Sequence, residues 1–321
     1  MSKISHLSDL KPEAPPDLPT RLPLKGLLLL LTLMLAWGLS WPTMKVAVGY
    51  IPVFSFRSFC AVIAAVAIFA MARAAGHRLA MPRGYRGWVV LAGLLNLFGW
   101  MFFSALALTV SPTGQTAIIA YTMPLWAFLV GIPLLGERPT ALRCLGLLLG
   151  MGAIGLLAWR GINGSDASIW GVAAMAVGAV MWGAGTVVVK YVNWPVPMLV
   201  VTGWQLVAAA VPLTLGMLLE IDSLEPLPPV AMGALLYSAL GGIAVGYWIW
   251  FRIVEMVPAG VAALSSLAVP GVGVASAALV LGEPVTWVEL TALGLLFAAL
   301  TTVLPLPDLK ELFARVNADR G

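Results

Sequence analysis

Charge is what this sequence lacks. Of its 321 residues only 10% are Asp, Glu, Lys or Arg, whereas 61% are hydrophobic, and the mean hydropathy is +0.98. An ordinary soluble domain has about 25% charged and 45–50% apolar residues. A soluble globule could not hide so much apolar surface and still cover itself with polar groups. Soluble enzymes, nucleic-acid binders and disordered scaffolds are thereby excluded, which leaves a polytopic membrane protein. Histidine and cysteine are scarce too. His6 and His77 fall in a polar tail and a basic loop, so no His/Cys cluster for a metal and no cofactor are expected. Cys60 and Cys144 each fall in an apolar run, where they read as small packing residues and not as a disulfide framework. Also missing are the alternating polar and apolar segments of about ten residues that build a membrane barrel.

What is present is long unbroken apolar runs, such as Gly26 to Leu35 and Val196 to Leu219. A helix needs roughly 20 residues to cross about 30 Å of hydrocarbon. Ten spans are placed near 26–48, 52–72, 87–108, 113–135, 140–160, 168–190, 197–219, 230–253, 258–281 and 287–306. Residues 1–25, with five prolines, read as a flexible tail, and 307–321 as a second tail with a short amphipathic helix through Leu309, Leu312, Phe313 and Val316. Lys and Arg set the orientation. The tails and the loops holding Arg73 to Arg86, Arg138, Arg143, Lys190 and Arg252 take nearly all of them; Arg160 and Lys45 fall on the other side. Both termini are therefore expected in the cytoplasm, with the chain in the inner (plasma) membrane. The base-free loop 220–229 is expected outside.

The two halves of the chain repeat. Ala36-Trp37-Gly38 through Lys45 matches Met181-Trp182-Gly183 through Lys190 at an offset of 145, and Pro112, Pro124, Gly136-Glu137 and Thr140 match Pro258, Pro270, Gly282-Glu283 and Thr286 at 146. Five spans per copy is an odd number, so the second copy would enter the membrane from the opposite side. The expected fold is an all-α polytopic membrane protein, ten transmembrane helices as two inverted five-helix repeats, 26–160 and 168–306. That plan belongs to secondary transporters, with a substrate site near the midplane between the repeats.

Those motifs support a specific resemblance. The tryptophan-glycine pair opening the first and sixth spans, each closed by lysine, is one part of it. The mid-span proline followed by Gly136 to Thr140 or by Gly282 to Thr286 is the other. Together they resemble the drug/metabolite transporter superfamily, within it the ten-helix proteins with two EamA-type repeats, over about residues 26–306. The resemblance implies a secondary transporter or facilitator of small metabolites and not an enzyme. The nearest functional type is the exporter of aromatic amino acids and related compounds. Two other functions stay open: an importer or exchanger of larger solutes such as flavins or phosphorylated sugars, and a membrane assembly protein that transports nothing. The partners expected are a small-molecule substrate and the lipid bilayer, with no nucleic acid; a monomer is expected, and a dimer is the alternative.

Fourteen acids are present, and all fall in tails, loops or helix ends. A proton relay through Asp or Glu and an organic-cation site at the midplane therefore lack their residues. Arg57, in contrast, lies about 7–8 Å inside the second span by helix rise. It is either an anchor for a substrate carboxylate or a snorkelling residue. Gln205 holds the matching place in the second half. Trp37, Trp100, Trp126 and Trp182 lie well inside their spans, and Phe103, Tyr121, Tyr247 and Trp248 join them as candidate walls of an aromatic substrate pocket. Trp41, Trp88, Trp159, Trp170, Trp194 and Trp287 read instead as an interfacial belt. Lys45 and Lys190 are candidate gates or plain helix-end cations, and Pro124 and Pro270 are expected to interrupt the fourth and ninth spans.

Overall fold

A computed structural model of the chain describes residues 24–163, 168–256 and 259–303. The predicted tails, but for Leu24 and Lys25, and the side chains of Ser265 and Ser266 lie outside what is described. The regular structure of the described residues is all helical, with no strand among them. The helices are α1 (Leu24–Val48), α2 (Val53–Ala74), α3 (Arg83–Val110), α4 (Thr113–Leu135), α5 (Ala141–Asn163), α6 (Ile169–Tyr191), α7 (Met198–Met217), α8 (Pro229–Ile253), α9 (Ala259–Leu281) and α10 (Trp287–Val303). Helices α1 to α8 are long and apolar enough to cross a membrane; Ala268–Leu281 and Trp287–Thr302 are shorter apolar stretches.

Local sequence explains where helices begin and end. Prolines stand at the N-caps of α2, α4, α7 and α8 (Pro52, Pro112, Pro197, Pro228), where a missing N–H costs nothing and the preceding chain is held extended. Ser168 caps α6 by accepting a hydrogen bond from the Trp170 backbone N–H. Helix α4 ends at Gly136 and α9 at Gly282. Both glycines have φ of 68°, the left-handed conformation that a side chain would strain.

Three of the long helices are not α-helical throughout. Gly93–Phe98 in α3 and Tyr237–Val245 in α8 wind as π-helix. In α4, Thr113–Ala120 and Met123–Leu135 are separated at Tyr121 and Thr122. The two prolines thus behave differently. Pro124 stands in the first turn of the segment after that break, whereas Pro270 sits within a continuous helix. A proline deletes one backbone donor and bends a helix, but need not end it.

The halves interlock in pairs. Helix α1 packs on α9 and α6 packs on α4, so the first helix of each repeat meets the fourth of the other; α2 packs on α7, and α5 on α10. Small residues permit these crossings, as in other helical membrane proteins. A Cβ on Gly146 would fall 2.9 Å from the Ala299 carbonyl oxygen, and one on Gly93 2.6 Å from that of Gln205. The Gly146-xxx-Gly150 pair of α5 is therefore a packing surface within the chain. Gly294 in α10 faces open space. Exposed apolar side chains such as Leu148, Leu215 and Leu279 cover the outside, as lipid contact requires.

Candidate functional site

A cavity of about 780 Å³ lies between the halves. Its aromatic wall is built from α1 and α6. On α1, Trp37, Ser40, Trp41 and Met44 recur at the i, i+3, i+4, i+7 spacing that puts them on one helix face. The matching positions of α6, Trp182, Thr186 and Val189, line it too. Trp100 from α3 joins the two sides, edge-on to Trp41 (5.9 Å between centroids) and to Trp182 (4.8 Å). The π segments supply polar groups. Asn96 donates to the Thr186 hydroxyl (3.1 Å) and the Trp182 carbonyl (3.4 Å), while the Gly242 carbonyl accepts the Trp37 indole N–H (3.0 Å). Widened turns of this kind concentrate at functional sites. Tyr121, at the break in α4, and Thr202, Gln205, Ser238 and Tyr247 complete the interior.

Arg57 belongs to this wall and is only 2% exposed. Its Nη2 donates to the Ser104 hydroxyl (2.7 Å) and to the Met44 sulfur (3.1 Å), its guanidinium stands 4.7 Å from the centre of the Phe56 ring, and Nε has no partner. All of these contacts are neutral, and a thioether is a weak acceptor. The side chain does not snorkel to an interface. It is a buried cation with unfilled bonding capacity beside a cavity. The Tyr247 hydroxyl is likewise buried without a partner.

The cavity reaches from Tyr121, midway along α4, to Leu135 at that helix's end, and its mouth bears Glu137, Arg143 and Lys190. Glu137 pairs with Lys190 (3.1 Å) and Arg143 (3.5 Å); the Lys190 side chain is 66% exposed. The opposite end of α4 is stitched shut. Glu283, the repeat partner of Glu137, accepts from the Thr113 N–H (2.8 and 2.9 Å), the Thr113 hydroxyl (2.6 Å) and the Gly114 N–H (3.2 Å). A carboxylate there also suits the positive end of the helix dipole. Lys45, the partner of Lys190, donates to the Leu108 (2.6 Å) and Ser111 (3.0 Å) carbonyls where α3 ends. A smaller cleft of about 400 Å³ lies beside these residues.

Among the residues singled out from sequence, Trp37, Arg57, Trp100, Tyr121, Pro124, Trp182, Lys190, Gln205 and Tyr247 line the cavity. Phe103, Trp126, Trp248, Lys45 and Pro270 do not. Phe103 packs edge-on against Phe102, the Trp126 indole donates to the Thr122 hydroxyl (3.1 Å), and Trp248 is exposed beside Arg252. Trp41, assigned to the interfacial belt, is 2% exposed and in the wall: its place one turn from a helix-end lysine concealed that α1 is covered there by α3. Ser40, Met44, Thr186, Thr202, Ser238 and Trp250 were missed, although the spacing of Ser40 and Met44 from Trp37 signals the first two. Cys144 is exposed, not packed. Glu289, expected at a helix end, is there but 4% exposed. It is held by Arg160 (3.1 Å) and the Gln115 amide (2.9 Å), so a buried acid does exist, tied into an ion pair.

Residues 24–159 and 169–304 each match the EamA-like transporter family. The chain belongs to that family, whose model matches it twice. A probable amino-acid metabolite efflux pump of Salmonella typhimurium is 26% identical, over 82% of this chain and 89% of that protein. The aromatic amino acid exporter YddG of Ancylobacter novellus is 29% identical, over 66% and 75%. A solved crystal structure shares the fold at TM-score 0.62 and 25% identity, covering 87% of this chain and 96% of the other. The protein is an integral membrane transporter of this family.

Proposed function

We propose that this transporter exports small carboxylate-bearing metabolites, amino acids and related compounds, through the cavity between its repeats. The observation behind this reading is Arg57: a buried cation whose partners are all neutral, set among Trp37, Trp41, Trp100 and Trp182. Burying an ion without a counter-charge costs several kcal/mol, and a substrate carboxylate that displaces the Met44 sulfur would supply one. The aromatic wall suits an apolar substrate body. The names of the two relatives, an efflux pump for amino-acid metabolites and an exporter of aromatic amino acids, agree with this chemistry.

Flux in proteoliposomes tests it. Arg57→Gln should weaken binding of carboxylate substrates about 10- to 150-fold, the equivalent of roughly 1.5–3 kcal/mol for a charge-assisted contact. Arg57→Lys should recover part of that, because it keeps the charge and loses the planar fork. Unchanged affinity in a folded Arg57→Gln protein would remove the carboxylate anchor.

The reading includes ten spans in two inverted repeats, with both termini cytoplasmic. The lysines and arginines near Glu137 then put the cavity mouth on the cytoplasmic side, where exported metabolites arise. Reporter fusions at the C-terminus and in the 220–229 loop should report opposite sides; a common side would overturn both the span count and the orientation.

A further inference from the structure

The charges on the cavity wall narrow the substrate class. Among the described lining residues, three are bases, Arg57, Arg143 and Lys190, and one is an acid, Glu137. That acid stands at the mouth and is already held by Lys190 and Arg143. Among the described residues, the deep part of the cavity has Arg57 and no carboxylate; its other polar side chains are neutral amides and hydroxyls, such as those of Asn96, Thr186, Thr202, Gln205, Ser238 and Tyr247. A substrate carboxylate would find a buried cation there. A substrate ammonium would surrender its water and meet only neutral acceptors, close to a guanidinium of like charge. In a site of low dielectric both penalties are larger than in water.

We infer that the favoured cargo is an amine-free organic monoanion, an aromatic or branched-chain carboxylate, over the zwitterionic amino acid with the same side chain. The inference rests on the transport reading above and deepens it. The single deep cation matches one negative charge, not the multiple charge of a phosphate ester. The net negative charge of such a cargo also couples it to the membrane potential. A cell interior negative with respect to outside expels an anion and leaves a zwitterion unaffected, so export of a monoanion needs no proton relay. The acid buried in the opposite cleft, Glu289, is neutralised by Arg160 and does not line this cavity.

Purified full-length protein in liposomes, loaded with labelled 3-phenylpropanoate or labelled phenylalanine at slightly alkaline pH, tests this, with protein-free liposomes correcting for leak of the protonated acid. We expect 3-phenylpropanoate to compete for efflux at least about tenfold better than phenylalanine, and Arg57→Gln to reduce that preference to about twofold or less. An inside-negative potential set with valinomycin and potassium should speed 3-phenylpropanoate efflux at least about threefold and leave phenylalanine efflux unchanged. Phenylalanine moving as well as or better than 3-phenylpropanoate would overturn the monoanion inference while leaving the transport reading standing. An equal response of both to the potential would also overturn it. Flux of neither, above the protein-free control, would overturn both readings. The two wild-type measurements decide even where Arg57→Gln fails to fold.

Discussion

The two ends of α4 hold equivalent residues in different circumstances. At its start, Glu283 accepts from two backbone N–H groups and a hydroxyl, and Lys45 donates to two backbone carbonyls. At its far end, Glu137 and Lys190 have each other and a half-exposed Arg143. Sequence makes the pairs equal, so the difference lies in what the fold presents to them. One pair meets unsatisfied helix ends, where α3 stops and α4 begins, and closes them; the other meets side chains at the mouth of a cavity. Groups at helix termini have no intrahelical partner and must find one, and a charged partner is worth roughly 1.5–3 kcal/mol. An exposed ion pair is worth only about 0.2–1 kcal/mol. The closed end is therefore the strongly held one.

The largest effect expected from that comparison is at Glu283. Glu283→Gln removes the charge from the Thr113 and Gly114 cap and should favour opening of that end by roughly 2–3 kcal/mol, about 30- to 150-fold. Lys45→Met, which strands two carbonyls, should do the same by roughly 1–2 kcal/mol. Ser276, buried where α9 meets α1 and bonded to the Gly38 (3.3 Å) and Gly273 (3.1 Å) carbonyls, is a suitable reporter. In a background without Cys60 and Cys144, Ser276→Cys should react faster with a membrane-impermeant maleimide in both variants. If Glu283→Gln reacts no faster than its parent, the helix cap is not what holds this end shut.

How far the site was legible in the sequence follows from helical phase. Trp37 and Trp182 sit in uninterrupted α-helix at repeated positions, and both line the cavity. Phe103, Trp126 and Trp248, which do not, share their helix segments with Trp100, Pro124 and Tyr247, which do, so the irregular turns do not by themselves decide which side chains face inward. Successive side chains are turned by about 100° around the helix axis. Apolar periodicity alone cannot report which of them faces the cavity, because the lipid-facing side of these helices is apolar too. The repeat gave two copies but not which helices pack together, so neither the interlock of α1 with α9 and α6 with α4 nor the burial of Arg57 was legible. That burial depends on Met44 and Ser104, which come from two other helices. The same holds for Glu289, whose partners Arg160 and Gln115 belong to different helices.

The smallest effect is expected at the cavity mouth, and it is the more exacting test. Glu137→Gln breaks pairs to Lys190 and Arg143 whose side chains are 66% and 36% exposed, so it should change the Ser276→Cys labelling rate less than about fivefold. Raising the salt concentration should mimic it in the parent protein, since exposed pairs are screened over about 8–10 Å at ordinary ionic strength. Labelling reports only how firmly each end is held in the described arrangement, whereas turnover samples every arrangement the cycle visits. Substrate flux measured alongside labelling therefore separates two cases. If Glu137→Gln leaves both nearly unchanged, the mouth pair is an ordinary surface contact and the asymmetry of the two ends is permanent. If labelling is unchanged but flux falls as far as it does in Glu283→Gln, Glu137 must gain a stronger partner elsewhere in the cycle. The start of α9, which holds the repeat position matching the helix start that Glu283 caps, is the partner its repeat position prescribes.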